Sequence, residues 1–287
     1  MVFCRTALCA CIVAVMLTGC SEWKVVSQSE PQQGILNVAY IHDGKRGIEV
    51  GESNLTRSTK DGGKRWIASM GLRSHHYGLH GCSILDEKTV FATGNTDQAL
   101  YSTNSGDNWH SMAAIQGIGK SISFISVTEG WVSSGSWFAA TKDQGQTWVP
   151  ITLPQDTASV ETLCMTASGT GYLVSDRTDV FYTADSCAHW EKLANPFAAS
   201  TRPYTPLVGR YNQGIAIGMN GNTGVVACLG SIDKKFAVFF SRTDDGGKTW
   251  RKPEMHKLAR EPKTVTASPQ GYVTILNKDM STTVFHR

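Results

Sequence analysis

One eight-residue phrase ending in tryptophan occurs five times in this chain: Thr59–Trp66, Ser102–Trp109, Thr141–Trp148, Thr183–Trp190 and Thr243–Trp250. Its common form is Ser/Thr-x-Asp-x-Gly-x-x-Trp, and the tryptophans lie 43, 39, 42 and 60 residues apart. A recurrence near forty residues constrains the fold more than any other feature, because repeats of that length are single supersecondary units that must stack to bury a common core. About forty residues suits one four-stranded blade of a propeller.

The phrase has a physical reading. The carboxylates Asp61, Asp143, Asp185 and Asp245, and Asn104 in the second copy, accept hydrogen bonds from backbone N–H groups just ahead and so build a turn. A glycine two residues later supplies a positive φ that other residues avoid. Trp66, Trp109, Trp148, Trp190 and Trp250 are then expected to bury their rings between neighbouring blades. Asn104 in place of Asp, and Cys187 in place of Gly, make the second and fourth turns the ones expected to be less regular. The pattern resembles the Asp-box, or BNR, repeat of sialidases and of many propellers without enzymatic activity.

Short runs upstream of the tryptophans, such as Gly47-Ile48, Val90–Thr93, Gly130–Val132, Gly171–Leu173, Gly214-Ile215 and Gly271–Val273, read as the second strand of each blade. The last has no phrase after it. The segment beginning at Trp23 looks like the strand that follows a repeat tryptophan, so it supplies the missing fourth strand. The expectation is an all-β, six-bladed β-propeller whose final blade is closed by both chain ends, which removes an open edge. Seven blades is the alternative, if the 60-residue interval hides one more. That surplus is placed at about 219–235. Its apolar run Gly224–Gly230 reads either as an arm that docks a partner, through residues such as Val225 and Leu229, or as an extra hairpin on its own blade.

The N-terminus divides from the rest. Thr6–Leu17 is apolar but too short to span a bilayer, as in a signal peptide. Leu17–Cys20 resembles the lipobox of bacterial lipoproteins, which implies cleavage before Cys20 and its lipidation, and Ser21 resembles the outer-membrane sorting pattern. The expected organisation is a signal peptide over 1–19, a lipidated N-terminus, closing strand and tether over 20–34, and a propeller over 35–287. The expected location is the cell envelope, on the outer membrane facing the periplasm. Cys82, Cys164, Cys187 and Cys228 then meet an oxidising setting, where disulfides are permitted but not implied. A net charge of +3 argues against a nucleic-acid partner.

Strand order sends the tryptophan turns to one face and the links between blades to the other. Function in such scaffolds sits on loops. The link from blade one to two carries Arg73, His75, His76, Tyr77 and His80; the three histidines lack the carboxylate or cysteine spacing of a zinc site, so no metal is assigned. Lys120, Arg202 and Tyr204 lie in later links, as do Arg260 and Lys263, with Asp156, Glu161 and Glu261 offsetting the charge. Tyr and Arg dominate contact energies, so these link residues are the candidate partner-binding set and the tryptophan turns are structural.

An enzyme reading follows from the sialidase resemblance: those enzymes need an arginine triad and paired acids, and no Arg-Ile-Pro or Arg-Val-Pro motif occurs here. No catalytic residue and no cofactor is assigned. The phrasing Thr128–Val132 followed by Thr141–Trp148 resembles more closely the photosystem II assembly-factor group of propellers, over most of 35–287. That resemblance implies a non-catalytic protein-binding scaffold. The expected function is a monomeric, membrane-anchored propeller that binds an envelope protein, as an assembly scaffold or as an immunity-type inhibitor of a periplasmic toxin. The alternative is a sialidase-like glycosidase or glycan-binding protein.

Overall fold

The computed structural model describes residues 24–28, 35–40, 45–52, 55–68, 78–95, 98–166, 169–198, 205–206, 214–269, 271–279 and 281–286. Six antiparallel sheets form a ring, and no α-helix occurs among these residues. Blade one is built from Ile35–Tyr40, Gly47–Gly51, Thr56–Thr59 and Ile67–Ala68. Blades two, three and four repeat this order from the inner strands Leu79–Ile84, Ser121–Phe124 and Val160–Met165. Blade five starts at Ile215–Asn220 and blade six at Pro262–Ala267. The inner strands pack side by side, and the ring closes where the Thr266 hydroxyl donates to the Val38 carbonyl at 2.7 Å.

Blade six is completed by the other end of the chain. Its strands run Pro262–Ala267, Val273–Asn277 and Thr282–His286, and the fourth is Lys24–Gln28, paired antiparallel with Lys24 opposite His286. The ring therefore has six blades, and among the described residues no seventh sheet fills the 60-residue interval. What fills it differs from the reading of the sequence. Ile215–Asn220 is the first strand of blade five, not the second, and the second and third are the long strands Thr223–Ile232 and Lys235–Thr243. The expected insertion is thus the blade itself. Its apolar run is continuous because both sides are covered: Val225, Ala227 and Leu229 face blade six, while Val226 and Cys228 face blade four. The surplus lies in the long link after Lys192 and in the projecting end of this hairpin, where Thr205-Pro206 adds a short strand alongside Gly230 and Ser231.

All five tryptophan turns share one set of bonds. In blade three the Thr141 hydroxyl donates to Asp143 Oδ1 at 2.7 Å and accepts from the Gly145 N–H at 2.8 Å, and Asp143 Oδ1 accepts from the Thr147 N–H at 2.9 Å. The same contacts recur around Asp61, Asn104, Asp185 and Asp245. The Asn104 and Cys187 turns, expected to be irregular, are as regular as the others. An amide oxygen accepts as a carboxylate oxygen does, and Cys187 takes φ +75° in the glycine's place. Two successive left-handed residues occur in each turn, as in Gln144 (φ 62°) and Gly145 (φ 76°). The first of them donates its N–H to the loop joining strands one and two, as in Gln144 to the Thr128 carbonyl at 3.0 Å and Ser186 to the Gly169 carbonyl at 2.8 Å. These bonds place the tryptophan turns and the first loops on one face.

Each tryptophan packs against the preceding blade. Trp109 joins Ile48 and Val50 of blade one, Trp148 joins Phe91 of blade two, Trp190 joins Phe138 of blade three and Trp250 joins Val174 of blade four. Trp66 joins Val284 of blade six, which carries the pattern across the closure. Only Trp109 is fully buried; the other four keep one edge at the surface. Cys82, Cys164, Cys187 and Cys228 are all free thiols.

Candidate functional site: the link-face mouth of the central channel

The ring encloses a channel of about 940 Å³, walled by the inner strands. Small side chains leave it open, among them Ala39, Gly81, Ser123 and Ala216. Several hydroxyls on this wall are committed to neighbouring strands: Ser121 Oγ accepts from the Leu163 N–H at 3.1 Å and Ser123 Oγ from the Met165 N–H at 3.0 Å. These bonds stitch the inner strand of blade three to that of blade four.

Each inner strand starts at the face opposite the tryptophan turns. There the links meet the loops between strands two and three, as in the Asn95 N–H to Gly78 carbonyl bond at 2.9 Å and the Asp176 N–H to Ser159 carbonyl bond at 3.0 Å. Five blades bring charged groups to this end of the ring, beyond the residues that line the channel. Lys120 Nζ of blade three reaches Glu161 Oε1 of blade four at 2.6 Å and Ser159 Oγ at 3.4 Å. Glu161 is almost wholly buried, and its Oε2 is buried without a hydrogen-bond partner. His80 of blade two is partly buried, and its Nε2 bonds Asn95 Oδ1 at 2.8 Å. Burial pushes the His80 pKa below the usual imidazole value; the Asn95 bond and the Glu52 carboxylate oppose this, and the Lys263 cation adds to it. Burial likewise lowers the Lys263 pKa, with Glu52 acting against it. With Lys120 and Lys263 set against Glu161 and Glu52, this end of the ring is of mixed charge and suits a polar ligand better than an apolar one.

The candidate residues named from sequence fall into three groups. Arg73, His75, His76, Tyr77, Arg202, Tyr204 and Cys20 lie outside the described residues. His80 lies in the inner strand of blade two and Lys120 just before that of blade three, where Lys120 is held in an ion pair rather than projecting freely. Val225 and Leu229 are corrections: each is 1% exposed and belongs to the core between blades five and six, so neither offers a surface to a partner. Among the other link cations, Arg260 pairs with Asp279 at 2.6 Å at the surface. Glu52, Asn95 and Ser159 were not singled out from the sequence, because each sits in an unremarkable loop and only the closure of the ring brings it to the mouth. No group of three or more His, Cys, Asp or Glu placed to hold a metal occurs among the described residues.

The fold is a six-bladed β-propeller whose link face carries charged groups at the ends of its inner strands. Neither a protein-family model nor a curated protein matches the chain. Solved structures do. YCF48 bound to D1 peptide superposes with a TM-score of 0.53 at 14% identity, over 93% of this chain and 96% of that one. YCF48 from Cyanidioschyzon merolae gives 0.56 at 17%, over 92% and 98%. The structure of U3-55K gives 0.62 at 9%, over 92% and 98%. At such identities the likeness establishes the propeller architecture alone.

Proposed function

We propose that this chain is a non-catalytic propeller of the Asp-box type that holds a protein partner at its link face, tethered to the envelope membrane through lipidated Cys20. The observation that carries the reading is the set of charged groups at the link-face ends of the inner strands, where Lys120 pairs with Glu161 and where His80, Glu52 and Lys263 act on one another. Such a ring is rigid because the stitched inner strands fix it, and it presents charge without a reactive nucleophile and base in contact. Binding of a D1 peptide by YCF48 supports a polypeptide as the ligand class. Arg73, His75, His76, Tyr77, Arg202 and Tyr204 complete the proposed surface from the neighbouring links. The partner is an envelope protein, held by an assembly scaffold or blocked by an immunity-type inhibitor, and the propeller acts as a monomer on the periplasmic side of the outer membrane.

The test is affinity capture from detergent-solubilised envelopes. Wild-type protein is expected to retain one partner that Tyr77→Ala/Arg202→Ala loses with an unchanged melting curve, while Gln146→Ala on the opposite face retains it. Loss with Gln146→Ala and retention with the link variants overturns the face assignment. Cleavage of a fluorogenic sialoside by the purified protein overturns the non-catalytic reading.

A further inference from the structure

The closing strand fixes where a lipid anchor leaves the propeller. In blade six the backbone of Lys24 pairs with His286, and Phe285 pairs with Val273 at the start of the second strand. Val273 follows the loop joining strands one and two, which lies on the face of the tryptophan turns. His286 stacks on Tyr272 of that loop, with ring centroids 4.0 Å apart. Lys24 therefore stands at the turn face, and Gln28 at the link face. Three residues lie between Cys20 and Lys24. Four fully extended steps reach roughly 13–14 Å, about the length of the four steps of the closing strand. Only a tether doubled straight back along that strand would bring the anchor level with the link face, whereas any other course leaves it nearer the turn face.

The corner beside this exit has a distinctive charge. Trp66 of blade one and Tyr272 of blade six pack on the same small cluster of Val38 and Val284, so the first tryptophan turn adjoins the exit. Among the described residues, that corner carries Lys45, Arg46, Lys60, Lys64 and Arg65 against Asp61 and the neighbouring Glu87. The matching turns of blades two, three and four carry carboxylates in excess, through Asp86, Glu87, Asp107, Glu129, Asp143 and Asp185. Arg46 engages Glu87 at 2.8 Å and Arg65 engages Asp61 at 3.1 Å, while Lys60 and Lys64 are exposed. Ile67, directly after Trp66, is 65% exposed.

We infer that the turn face at the junction of blades six and one lies against an anionic bilayer surface, so that the link face points away from the membrane. The inference rests on the anchoring of Cys20 in the proposed function and adds an orientation to it. Short tethering and a basic corner act together: the acyl chains hold the protein at the interface, and the lysines and arginines gain attraction to anionic headgroups within a Debye length. An exposed aliphatic side chain at the same corner suits the headgroup boundary. The link-face mouth is then left open to the aqueous compartment, where a partner reaches it.

The test uses the acylated full protein in phosphatidylethanolamine vesicles with and without phosphatidylglycerol, read by lysine acetylation and peptide mass. Lys60 and Lys64 are expected to label at least about fivefold more slowly on phosphatidylglycerol vesicles than in detergent. Lys234 and Lys235, at the exposed tip of the blade-five hairpin on the link face, keep their detergent rate. The variant Lys60→Glu/Lys64→Glu, acylated and with an unchanged melting curve, is expected to lose the slowing seen for Lys45 on the same corner. Slowing at Lys234 and Lys235, or equal labelling of both faces, overturns the orientation while leaving the anchor intact. Absence of acyl mass on Cys20 overturns the anchor and the orientation together.

Discussion

The indole Nε1–H of Trp109 donates to the hydroxyl of Thr56 at 3.2 Å, across the seam between blade two and blade one. Trp148 makes the corresponding bond to the Ala113 carbonyl at 3.1 Å, but keeps one edge at the surface. The difference in burial ranks the two residues. Trp109→Ala is expected to cost about 3–5 kcal/mol as a buried aromatic truncation, and Trp148→Ala clearly less. Trp109→Phe, which keeps most of the area and loses the hydrogen bond, is expected to cost about 1 kcal/mol. Denaturant unfolding of the three variants checks the order; equal losses for the two alanine variants contradict it.

Cys187 takes φ +75° where the other turns have glycine, and its side chain is buried against Trp131 and Phe138. Two effects oppose each other there, backbone strain and core contact. Comparing two truncations separates them, since Cys187→Ala and Cys187→Gly lose the same thiol but only glycine relieves the strain. Cys187→Gly is expected to be more stable than Cys187→Ala by about 1 kcal/mol. Equal stability in thermal unfolding says that the strain is absent.

Gly218 on the inner strand of blade five faces the backbone of blade six, where an added Cβ would collide with the Ser268 carbonyl oxygen. No flexible side chain can yield there, because the obstacle is main chain. Gly218→Ala is expected to destabilise by about 1–3 kcal/mol as overpacking. An unchanged unfolding midpoint would place the two blades further apart than they stand here.

Two kinds of carboxylate give opposite pH dependences. Hydrogen bonds hold the Asp143 pKa down at about 2, first from the Thr147 hydroxyl, and backbone or hydroxyl bonds hold Asp185 and Asp245 at about 2 as well. Folded values below the unfolded one mean that their contribution is present above about pH 4 and is lost as pH falls through 2. Replacing Asp143, Asp185 and Asp245 together by Asn should therefore flatten the acid limb of the melting temperature between about pH 4 and 2.

Glu49 behaves the other way. It is fully buried, and desolvation raises its pKa from 4.5 to about 7, against the Coulombic pull of Arg57 at 2.8 Å. The charge of Arg57 and its hydrogen bonding both favour the carboxylate, but desolvation is the larger effect. A raised folded pKa gives a contribution fully present below 4.5 that is lost as pH rises through 7. Wild-type stability should therefore gain on lowering the pH from about 7.5 to 5, and Glu49→Gln should remove that gain. A pH-independent difference between the two proteins across this window rejects the assignment.

The chain's sequence determined the elements whose cause is local. A hydroxyl, a carboxylate or amide, a left-handed residue and a tryptophan are enough to close each turn, so the five turns, the blade period and the closing strand after Trp23 were legible without coordinates. Local signals failed where burial on both sides replaced alternation. The run from Val225 to Leu229 reads as a docking arm or as an extra hairpin until blades four and six are placed against it. The mouth was legible only in part: the link cations Lys120 and Lys263 stand out as charges, but their partners Glu161 and Glu52 come from other blades. Tertiary structure alone decided those pairings, because residues a whole blade apart in sequence meet only when blades pack: blade four against blade three buries Glu161 beside Lys120, and the joining of the two chain ends sets Lys24 on the face of the tryptophan turns.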